Sequence, residues 1–162
     1  MATVYLGLGS NVRPEMNLRL AIRELRKRYG ELAISTVYRC APVGFEAEDF
    51  LNLVVCLQSE DSPLAICDEI ELIHNLSGRV RSSNKWESRT LDIDLLLYNG
   101  LVQDKRPVRV PRDDILKYSF VLRPLAELAP DLEHPVTGRT MLEHWHDSDS
   151  PRHPLEETRV DW

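Results

Sequence analysis

The sequence contains few of the features that mark membrane or secreted proteins. It has no run of about 18 apolar residues that could span a bilayer, and no basic-then-apolar leader at its start. Its three cysteines, Cys40, Cys56 and Cys67, form no CxxC pair and cannot all pair within the chain. We therefore expect a cytoplasmic protein with reduced thiols.

Positive charge is also in short supply. The chain has 20 Lys and Arg residues against 26 Asp and Glu residues, and its net charge is −6. A general nucleic-acid binder needs a basic surface, so this class of protein is disfavoured. The histidines near the end of the chain have no tight metal-ligand spacing, so we expect no zinc site there.

Two common phosphate-binding loops are missing. No GxxxxGK[ST] sequence occurs, which excludes a P-loop. Gly7 and Gly9 begin a GxG, but no third glycine follows at the required place, so a dinucleotide fingerprint is not supported. Local arginine clusters must then serve a small anionic ligand or ordinary surface pairing.

The length of 162 residues and the 43% hydrophobic content predict one soluble domain with a single core. Apolar spacing predicts helices over 14–29, 63–77, 120–128 and 141–145, and strands over 3–8, 32–39, 50–58, 90–98, 101–102 and 108–110. The second helix is expected to bury Leu64, Cys67, Ile70, Ile73 and Leu76. Residues 146–162 are polar and interrupted by prolines, so we expect a loosely held tail.

The most informative stretch is the strand predicted over 90–98, which stops at the hairpin signal Asn99-Gly100. Side chains two apart on a strand share a face, so Asp92 and Asp94 lie side by side. The other face would hold Leu91, Ile93, Leu95 and Leu97. Because two like charges lie in an otherwise apolar strand, we expect a cation beside them.

Mg²⁺ is the natural cation, because it is usually held by one or two carboxylates and completes its shell with water and substrate phosphates. Alternatively, one or both aspartates are solvated or paired with an arginine. Arg79, Arg81 and Arg89 precede the pair, and guanidinium groups match phosphate oxygens. Carboxylates for a metal beside arginines for phosphate favour phosphoryl transfer.

These residues carry a specific resemblance. The sequence Gly78-Arg79-Val80-Arg81, then Trp86, then Arg89-Thr90-Leu91-Asp92-Ile93-Asp94, resembles the signature of the 6-hydroxymethyl-7,8-dihydropterin pyrophosphokinase family. The similarity covers most of the chain, from Gly9 to Gly138. Enzymes of that family transfer a pyrophosphoryl group from ATP to the hydroxymethyl oxygen of a reduced pterin and release AMP, in folate biosynthesis.

The resemblance implies an α+β domain with a ferredoxin-like core, a mostly antiparallel sheet and helices on both faces. It also implies one or two Mg²⁺ ions, ATP as co-substrate, a reduced pterin as substrate and a monomeric enzyme without nucleic-acid or membrane partners. Residues matched to the pterin site are Pro42, Val43, Gly44, Phe50, Asn52 and Phe120. Residues matched to the nucleotide site are Arg79, Arg81, Trp86, Arg89, Arg112 and Tyr118. Asp92 and Asp94 would bind the metal, and Arg79, Arg89 and Asp94 would act in catalysis.

Two of these assignments have a structural alternative. A buried Asn52 could simply bond to a neighbouring backbone group, with Phe50 in the core, although an amide also matches the amino-pyrimidinone edge of a pterin. Trp86 lies in a polar loop predicted over 82–88. It could belong to a lid that closes on substrate or stay docked on the body of the protein.

The chain departs from the family pattern on the nucleotide side. Arg112 stands where the family usually has a His, Tyr118 where it has an Arg, and His74 where it has a Glu. Glu87-Ser88 replaces a frequent Gly-Pro. Either Arg112 compensates for the lost cations, or the chain is a paralogue that binds a pterin with little transfer. Clustered arginines and aspartates would have little use in a pure pterin binder, so we favour the enzyme.

Overall fold

The computed structural model of the chain describes residues 1–44, 46–78, 91–148 and 154–162. Within these ranges it contains eight strands and five helices. In chain order they are β1 (Ala2–Ser10), α1 (Pro14–Tyr29), β2 (Ala33–Ile34), β3 (Val37–Cys40), β4 (Phe50–Ser59), α2 (Pro63–Leu76), β5 (Asp92–Tyr98), β6 (Gln103–Lys105), β7 (Val108–Val110), α3 (Asp114–Lys117), α4 (Ser119–Leu128), α5 (Met141–Asp147) and β8 (Glu156–Thr158).

The main sheet has the strand order β5-β1-β4-β3-β8, with β2 beside β4, and neighbouring strands are antiparallel. β6 and β7 form a separate hairpin. Because α1 follows β1 and α2 lies between β4 and β5, the core is a β-α-β-β-α-β unit. The predicted α+β class, ferredoxin-like core and antiparallel sheet are therefore confirmed.

Helices cover both faces of the sheet, as expected. α1 and α2 bury Leu18, Ile22 and Ile66 against Leu6 and Leu8 of β1. The opposite face carries α3, α4 and α5, which bury Ile115, Val121, Leu122, Leu125 and Met141 against Tyr5, Val54, Leu96 and Leu97. The sheet thus separates two cores, the second of them smaller, so the prediction of a single core was wrong.

The two long helices form where the sequence supplies caps. Pro14 lies in the first turn of α1, and Gly30 ends that helix with φ 81°, in the region that favours glycine. In α2 the Ser62 hydroxyl accepts a hydrogen bond from the Ala65 amide at 3.2 Å, and Pro63 begins the helix. Among the described residues, no helix is long and apolar enough to cross a membrane.

The predicted buried face of α2 was wrong in part. Leu64 and Leu76 are 51% and 61% exposed, whereas Ile70 and Ile73 are buried as predicted, and Ile66 and His74 are buried in addition. The true face contains a polar residue, His74. A strict spacing of three residues drifts around a helix of 3.6 residues per turn, so the first and last members of the predicted set fall outside the buried face.

The strand predicted over 32–39 is divided into β2 and β3. Ser35 lies between them, and its backbone amide donates to the Val54 carbonyl at 3.0 Å. Its hydroxyl accepts from the Val54 amide at 2.9 Å, so a side chain replaces one backbone acceptor. The hydrogen bonding of β4 is preserved while the neighbouring strand bends.

Leu97 lies on a different face of β5 from the one predicted. The register between β1 and β5 shifts where Tyr5 pairs with Leu97 and Leu6 pairs with Leu95, which leaves Leu96 as an extra residue. Leu96 and Leu97 consequently both pack in the second core. Strict alternation holds only from Leu91 to Leu95.

The expectation of a loosely held tail over 146–162 needs correction at its far end. Residues 156–158 form β8, which pairs with Val37–Arg39 of β3. The side chain of Val160 packs on the first core, and Arg19 Nε donates to the Asp161 carbonyl at 2.8 Å. Polar composition hid this strand, because its pairing uses backbone groups and an exposed edge.

Candidate active site

Two glycines of β1 leave room for a cavity beneath α4. On the face of β1 that carries Tyr5, the next two positions are Gly7 and Gly9, whose lack of side chains leaves the centre of the sheet uncovered. The resulting cavity has a volume of about 300 Å³. Its floor is backbone, flanked by the side chains of β4 and β5.

Asn52 forms one flank of this cavity. It pairs in register with Gly9 and is only 7% exposed. A Cβ atom on Gly9 would lie 2.7 Å from Asn52 Oδ1, a distance that real side chains do not tolerate. Glycine at this position is therefore required for Asn52 to lie where it does.

The Asn52 amide is oriented by a cysteine. Its Nδ2 donates to Cys40 Sγ at 3.1 Å, and both residues line the cavity. Burial and the nearby Asp49 carboxylate raise the pKa of the Cys40 thiol to about 12, so the thiol stays protonated at neutral pH. Cys40 was not predicted as a site residue, because sequence alone indicated only a reduced thiol.

Asp92 and Asp94 form the opposite flank. They pair in register with Gly9 and Gly7, and both side chains line the cavity, which confirms that they share one face. Asn52 and Asp92 lie on the two strands that flank β1, so two strand spacings, together about 10 Å, separate them. The cavity therefore has an amide on one flank and two carboxylates on the other.

Aromatic rings complete the walls. Phe50 at the start of β4 and Phe120 in α4 both line the cavity and are half-buried. Tyr118 stacks on Phe120, with ring centroids 4.9 Å apart and planes 15° apart. The ammonium of Lys117 lies 5.3 Å from the centre of the Tyr118 ring, which brings a cation to the same wall.

Arg112 lies beside the carboxylates, between β7 and α3. Its Nη2 is 3.5 Å from Asp94 Oδ1, and its Nε is 3.7 Å from Asp114 Oδ2. Burial alone would lower the pKa of Arg112, but Asp94 and Asp114 outweigh burial and raise that pKa. The guanidinium is therefore a permanent cation next to the aspartate pair.

A second, smaller cavity of about 170 Å³ lies between α2, β5 and β7. Cys67 and Glu71 of α2, Leu95 of β5, and Arg112 are among its lining residues. Asp94 lines both cavities. A ligand in either cavity would consequently lie close to Asp94.

His74 lines neither cavity but supports the strand that carries the aspartates, a role that sequence reasoning missed. It is 4% exposed, and its Nε2 accepts a hydrogen bond from the Ile93 amide at 2.9 Å. Its Nδ1 lies 3.3 Å from Glu71 Oε1. Because Ile93 lies between Asp92 and Asp94, His74 ties the carboxylate-bearing part of β5 to α2. The one available signal was that a histidine stands where the family has a glutamate.

Comparison with known proteins agrees with this arrangement. Residues 5–130 match the sequence profile of the family described as 7,8-dihydro-6-hydroxymethylpterin-pyrophosphokinase. The chain belongs to this family. The match includes both flanks of the first cavity, the aromatic wall and the second cavity, so the site described above lies within the part that the pyrophosphokinase family shares.

Individual relatives give the same result. The chain is 37% identical over 140 residues to a 2-amino-4-hydroxy-6-hydroxymethyldihydropteridine pyrophosphokinase of Haemophilus influenzae, covering 83% of this chain and 86% of the relative. It is 38% identical over 148 residues to the Methylorubrum extorquens protein of the same name, covering 88% and 91%. These relatives are similar to the chain along nearly its whole length.

The fold is shared with solved structures of Plasmodium falciparum HPPK-DHPS. One, a wild-type protein with pterin and p-hydroxybenzoate, matches with a TM-score of 0.72 at 16% identity. The match covers 90% of this chain but only 42% of that longer chain. At this identity the similarity establishes the fold alone.

The structure brings together most of the described residues that were predicted for the site. Val43, Phe50, Asn52, Asp92, Asp94, Tyr118 and Phe120 all line the first cavity. Pro42 and Gly44 are not among its lining residues, whereas Cys40 and Ala41 are. The roles of all these residues stay predictions. Arg79, Arg81, Trp86 and Arg89 lie outside the described residues, so their predicted roles are not tested.

The donor set fits Mg²⁺. Over 1–44, 46–78, 91–148 and 154–162, no group of three or more His, Cys, Asp or Glu side chains could enclose a metal ion. Asp92 and Asp94 instead offer two hard oxygen donors facing one cavity. Mg²⁺ is commonly held in this way, by one or two carboxylates that leave positions for water and substrate phosphates.

Proposed function

We propose that this chain is a Mg²⁺-dependent pyrophosphokinase that transfers a pyrophosphoryl group from ATP to 6-hydroxymethyl-7,8-dihydropterin in folate biosynthesis and releases AMP. The observation that carries the proposal is the position of Asp94, which lines both a cavity suited to a flat ring and a second cavity. Membership of the pyrophosphokinase family supports the reaction class.

The first cavity suits the pterin. The Asn52 amide provides one donor and one acceptor for the amino-pyrimidinone edge, and Phe50 and Phe120 provide aromatic surfaces for the ring. Asn52 and the aspartates lie on opposite flanks, so a pterin bonded to Asn52 points its hydroxymethyl group toward Asp92 and Asp94. In this proposed arrangement the reacting oxygen lies close to Asp94, which also lines the second cavity.

The second cavity suits part of the ATP molecule, with its phosphates directed toward Asp94 and Arg112. The hydroxymethyl oxygen attacks the β-phosphorus in line, the bond from that phosphorus to the α-phosphate oxygen breaks, and AMP leaves. Asp94 orients the hydroxyl group whose proton is released. Mg²⁺ held by Asp92 and Asp94, when bound, neutralises phosphate charge. Arg79, Arg81 and Arg89 are proposed to bind the same phosphates, with Trp86 closing over them.

Two substitutions relative to the family fit this scheme. Arg112 keeps a cation beside Asp94, although a guanidinium cannot donate a proton near neutral pH. Tyr118 stacks on Phe120 and brings Lys117 to the cavity wall, so a positive charge remains close to the place of the lost arginine. Nucleotide contacts of Tyr118, a monomeric state and a cytoplasmic location stay predictions.

The decisive experiment measures AMP formation from ATP and Mg²⁺ by the purified protein, with and without 6-hydroxymethyl-7,8-dihydropterin. AMP that appears only with the pterin is the expected result. Pterin binding, detected by fluorescence quenching, without AMP formation would contradict the proposal. Release of phosphate or pyrophosphate instead of AMP would also contradict it.

The assignment of the two cavities is tested with Asn52→Ala. Loss of the amide should raise KM for the pterin by about tenfold or more while changing KM for ATP less than about twofold. Asn75→Ala, an exposed asparagine on α2, serves as the matched control. Equal increases in both KM values would count against this arrangement of the site.

A further inference from the structure

Arg112 occupies an unusual position for a residue that would only contact a nucleotide. Its guanidinium faces two carboxylates, with Nη2 3.5 Å from Asp94 Oδ1 and Nε 3.7 Å from Asp114 Oδ2. The Asp92 carboxylate also contributes to the potential at this guanidinium. A cation of the protein itself is therefore already present at the carboxylates proposed to hold Mg²⁺.

Arg112 lies near its two carboxylate partners without forming short hydrogen bonds to them. Both distances exceed the 2.7–3.2 Å typical of an N–H···O hydrogen bond. Its Nε is buried and has no hydrogen-bond partner among the described residues, whereas the side chain as a whole is 34% exposed. A buried N–H group without an acceptor is costly, so a phosphate oxygen arriving nearby would be a favourable partner.

Backbone contacts hold the base of this residue in place. The Arg112 amide donates to the Leu96 carbonyl at 3.0 Å, which fixes the backbone beside β5. The side chain lines the second cavity together with Asp94. The guanidinium therefore borders a cavity that could hold a phosphate, while its main chain is fixed beside β5.

We propose that Arg112 is an internal counter-cation that competes with the divalent metal for Asp94 until the nucleotide arrives. Without nucleotide, it neutralises Asp94 and weakens binding of a bare divalent ion. When the metal enters with ATP, Arg112 moves to the phosphates and leaves Asp94 to the metal. The metal and the nucleotide are then taken up together rather than in separate steps. This inference depends on the proposed function.

The test is binding of Mn²⁺, as a probe for Mg²⁺, to the nucleotide-free protein, followed by calorimetry or electron paramagnetic resonance. Arg112→Met removes the charge, so we expect Mn²⁺ to bind about tenfold more tightly. Arg28→Met is the matched control, because Arg28 pairs with Asp61 at 2.6 Å at the other end of β5. Its Mn²⁺ affinity should equal that of the wild type. Equal or weaker Mn²⁺ binding by Arg112→Met would overturn the inference.

A second measurement uses α,β-methylene-ATP, which cannot be cleaved at the reacting bond. Arg112→Met should bind this analogue more weakly, by about tenfold, in the presence of Mn²⁺. The same substitution would thus strengthen metal binding and weaken nucleotide binding. An Arg112→Met variant that weakens both would indicate an ordinary phosphate contact and overturn the competition.

The wild-type protein provides a readout that does not depend on a folded variant. The Arg112 Nε–H resonance should shift when Mg²⁺ is added without nucleotide, and that of Arg28 should not. An unchanged Arg112 resonance at saturating Mg²⁺ would overturn the inference. Asp92→Asn separates the two proposals: if Mn²⁺ binding does not depend on Asp92, the metal site of the proposed function fails. If binding depends on Asp92 but not on Arg112, only the competition fails.

Discussion

The two faces of β1 differ in whether side chains fill the space above them. Toward α1 and α2, Val4, Leu6 and Leu8 are buried and fill the space between sheet and helices. Toward α4, Gly7 and Gly9 leave that space open, and the cavity forms there. One face of the strand therefore contributes mainly to stability, and the other provides room for a ligand.

The neighbouring strands repeat this division. On β4 the apolar face carries Leu51 and Leu53, whereas the cavity face carries Asn52. On β5, Ile93 is in the core between Asp92 and Asp94. Substitutions on the two faces should then change different measured quantities, the free energy of unfolding on one and substrate binding or turnover on the other.

The largest effect is expected for a carboxylate of the cavity face. Asp92→Ala removes a proposed metal ligand and should lower kcat/KM by on the order of a thousandfold, with the midpoint of thermal unfolding little changed. Steady-state AMP formation and a thermal melt measure the two quantities. Asp161→Ala, at an exposed aspartate paired with Arg159, should leave both unchanged. Near-normal turnover by folded Asp92→Ala would refute the metal assignment.

The opposite outcome is expected on the core face. Leu6 is fully buried, so Leu6→Ala should lower the free energy of unfolding by about 3 kcal/mol through lost burial and a residual cavity. Urea denaturation measures this loss, and the kcat of the folded enzyme should stay close to that of the wild type. Leu72→Ala, at a leucine 57% exposed, should cost much less. A large loss of kcat in Leu6→Ala would break the division between the faces.

Gly9→Ala tests the open face without removing any functional group. The added methyl group would lie 2.7 Å from Asn52 Oδ1, so Asn52 must move. We expect KM for the pterin to rise about tenfold and KM for ATP to stay within twofold. Gly100→Ala, where a Cβ would meet nothing within 4 Å, is the control. If only the ATP constant changed, the proposed role of Asn52 would be untenable.

A smaller effect, a change of stability with pH, is expected from the loop before α5, on the cavity side of the sheet. Burial, followed by the nearby His144, lowers the pKa of His134 below 6.5, and its Nδ1 accepts hydrogen bonds from the Val136 and Thr137 amides. The unfolded chain binds a proton at His134 more readily than the folded chain does. The contribution of neutral His134 to the free energy of unfolding is therefore complete above pH 6.5 and is lost as the pH falls through the lowered pKa. The unfolding midpoint should drop by a few degrees between pH 7.5 and 5.5.

His134→Gln keeps a side-chain acceptor and lacks the titrating group. Its unfolding midpoint should therefore fall less than that of the wild type over the same pH interval. Differential scanning calorimetry at both pH values measures the difference. An identical pH dependence in the variant would assign the effect to other groups.

Local patterns predicted the parts of the fold that depend on regular spacing. The bounds of α1 agree with the prediction, and the alternation along β4 placed Leu51 and Asn52 on the correct faces. Asp92 and Asp94 were likewise correctly placed together, because no bulge interrupts β5 between them. Regular repeats of two and 3.6 residues carry this information.

The misses arose where one residue departs from such a repeat or where partners are distant in sequence. The bulge at Leu96 moved Leu97 to the other face, and it depends on pairing with β1. The short helix α3 was not predicted, since four residues give too little periodicity. His74 meets Ile93 and Cys40 meets Asn52 only in the folded chain. Sequence patterns show which side chains share an element, but not which elements meet.

The position of β8 has a consequence for solubility. Without residues 154–162, Val37–Arg39 would be an open edge of the sheet, with unpaired amide and carbonyl groups ready to accept a strand from another molecule. β8 replaces that edge with a strand of three residues, two of them the exposed glutamates Glu156 and Glu157. Short, negatively charged edges repel one another and discourage strand-to-strand association. Shortened versions of this chain should aggregate more readily at high concentration even where their active sites are intact.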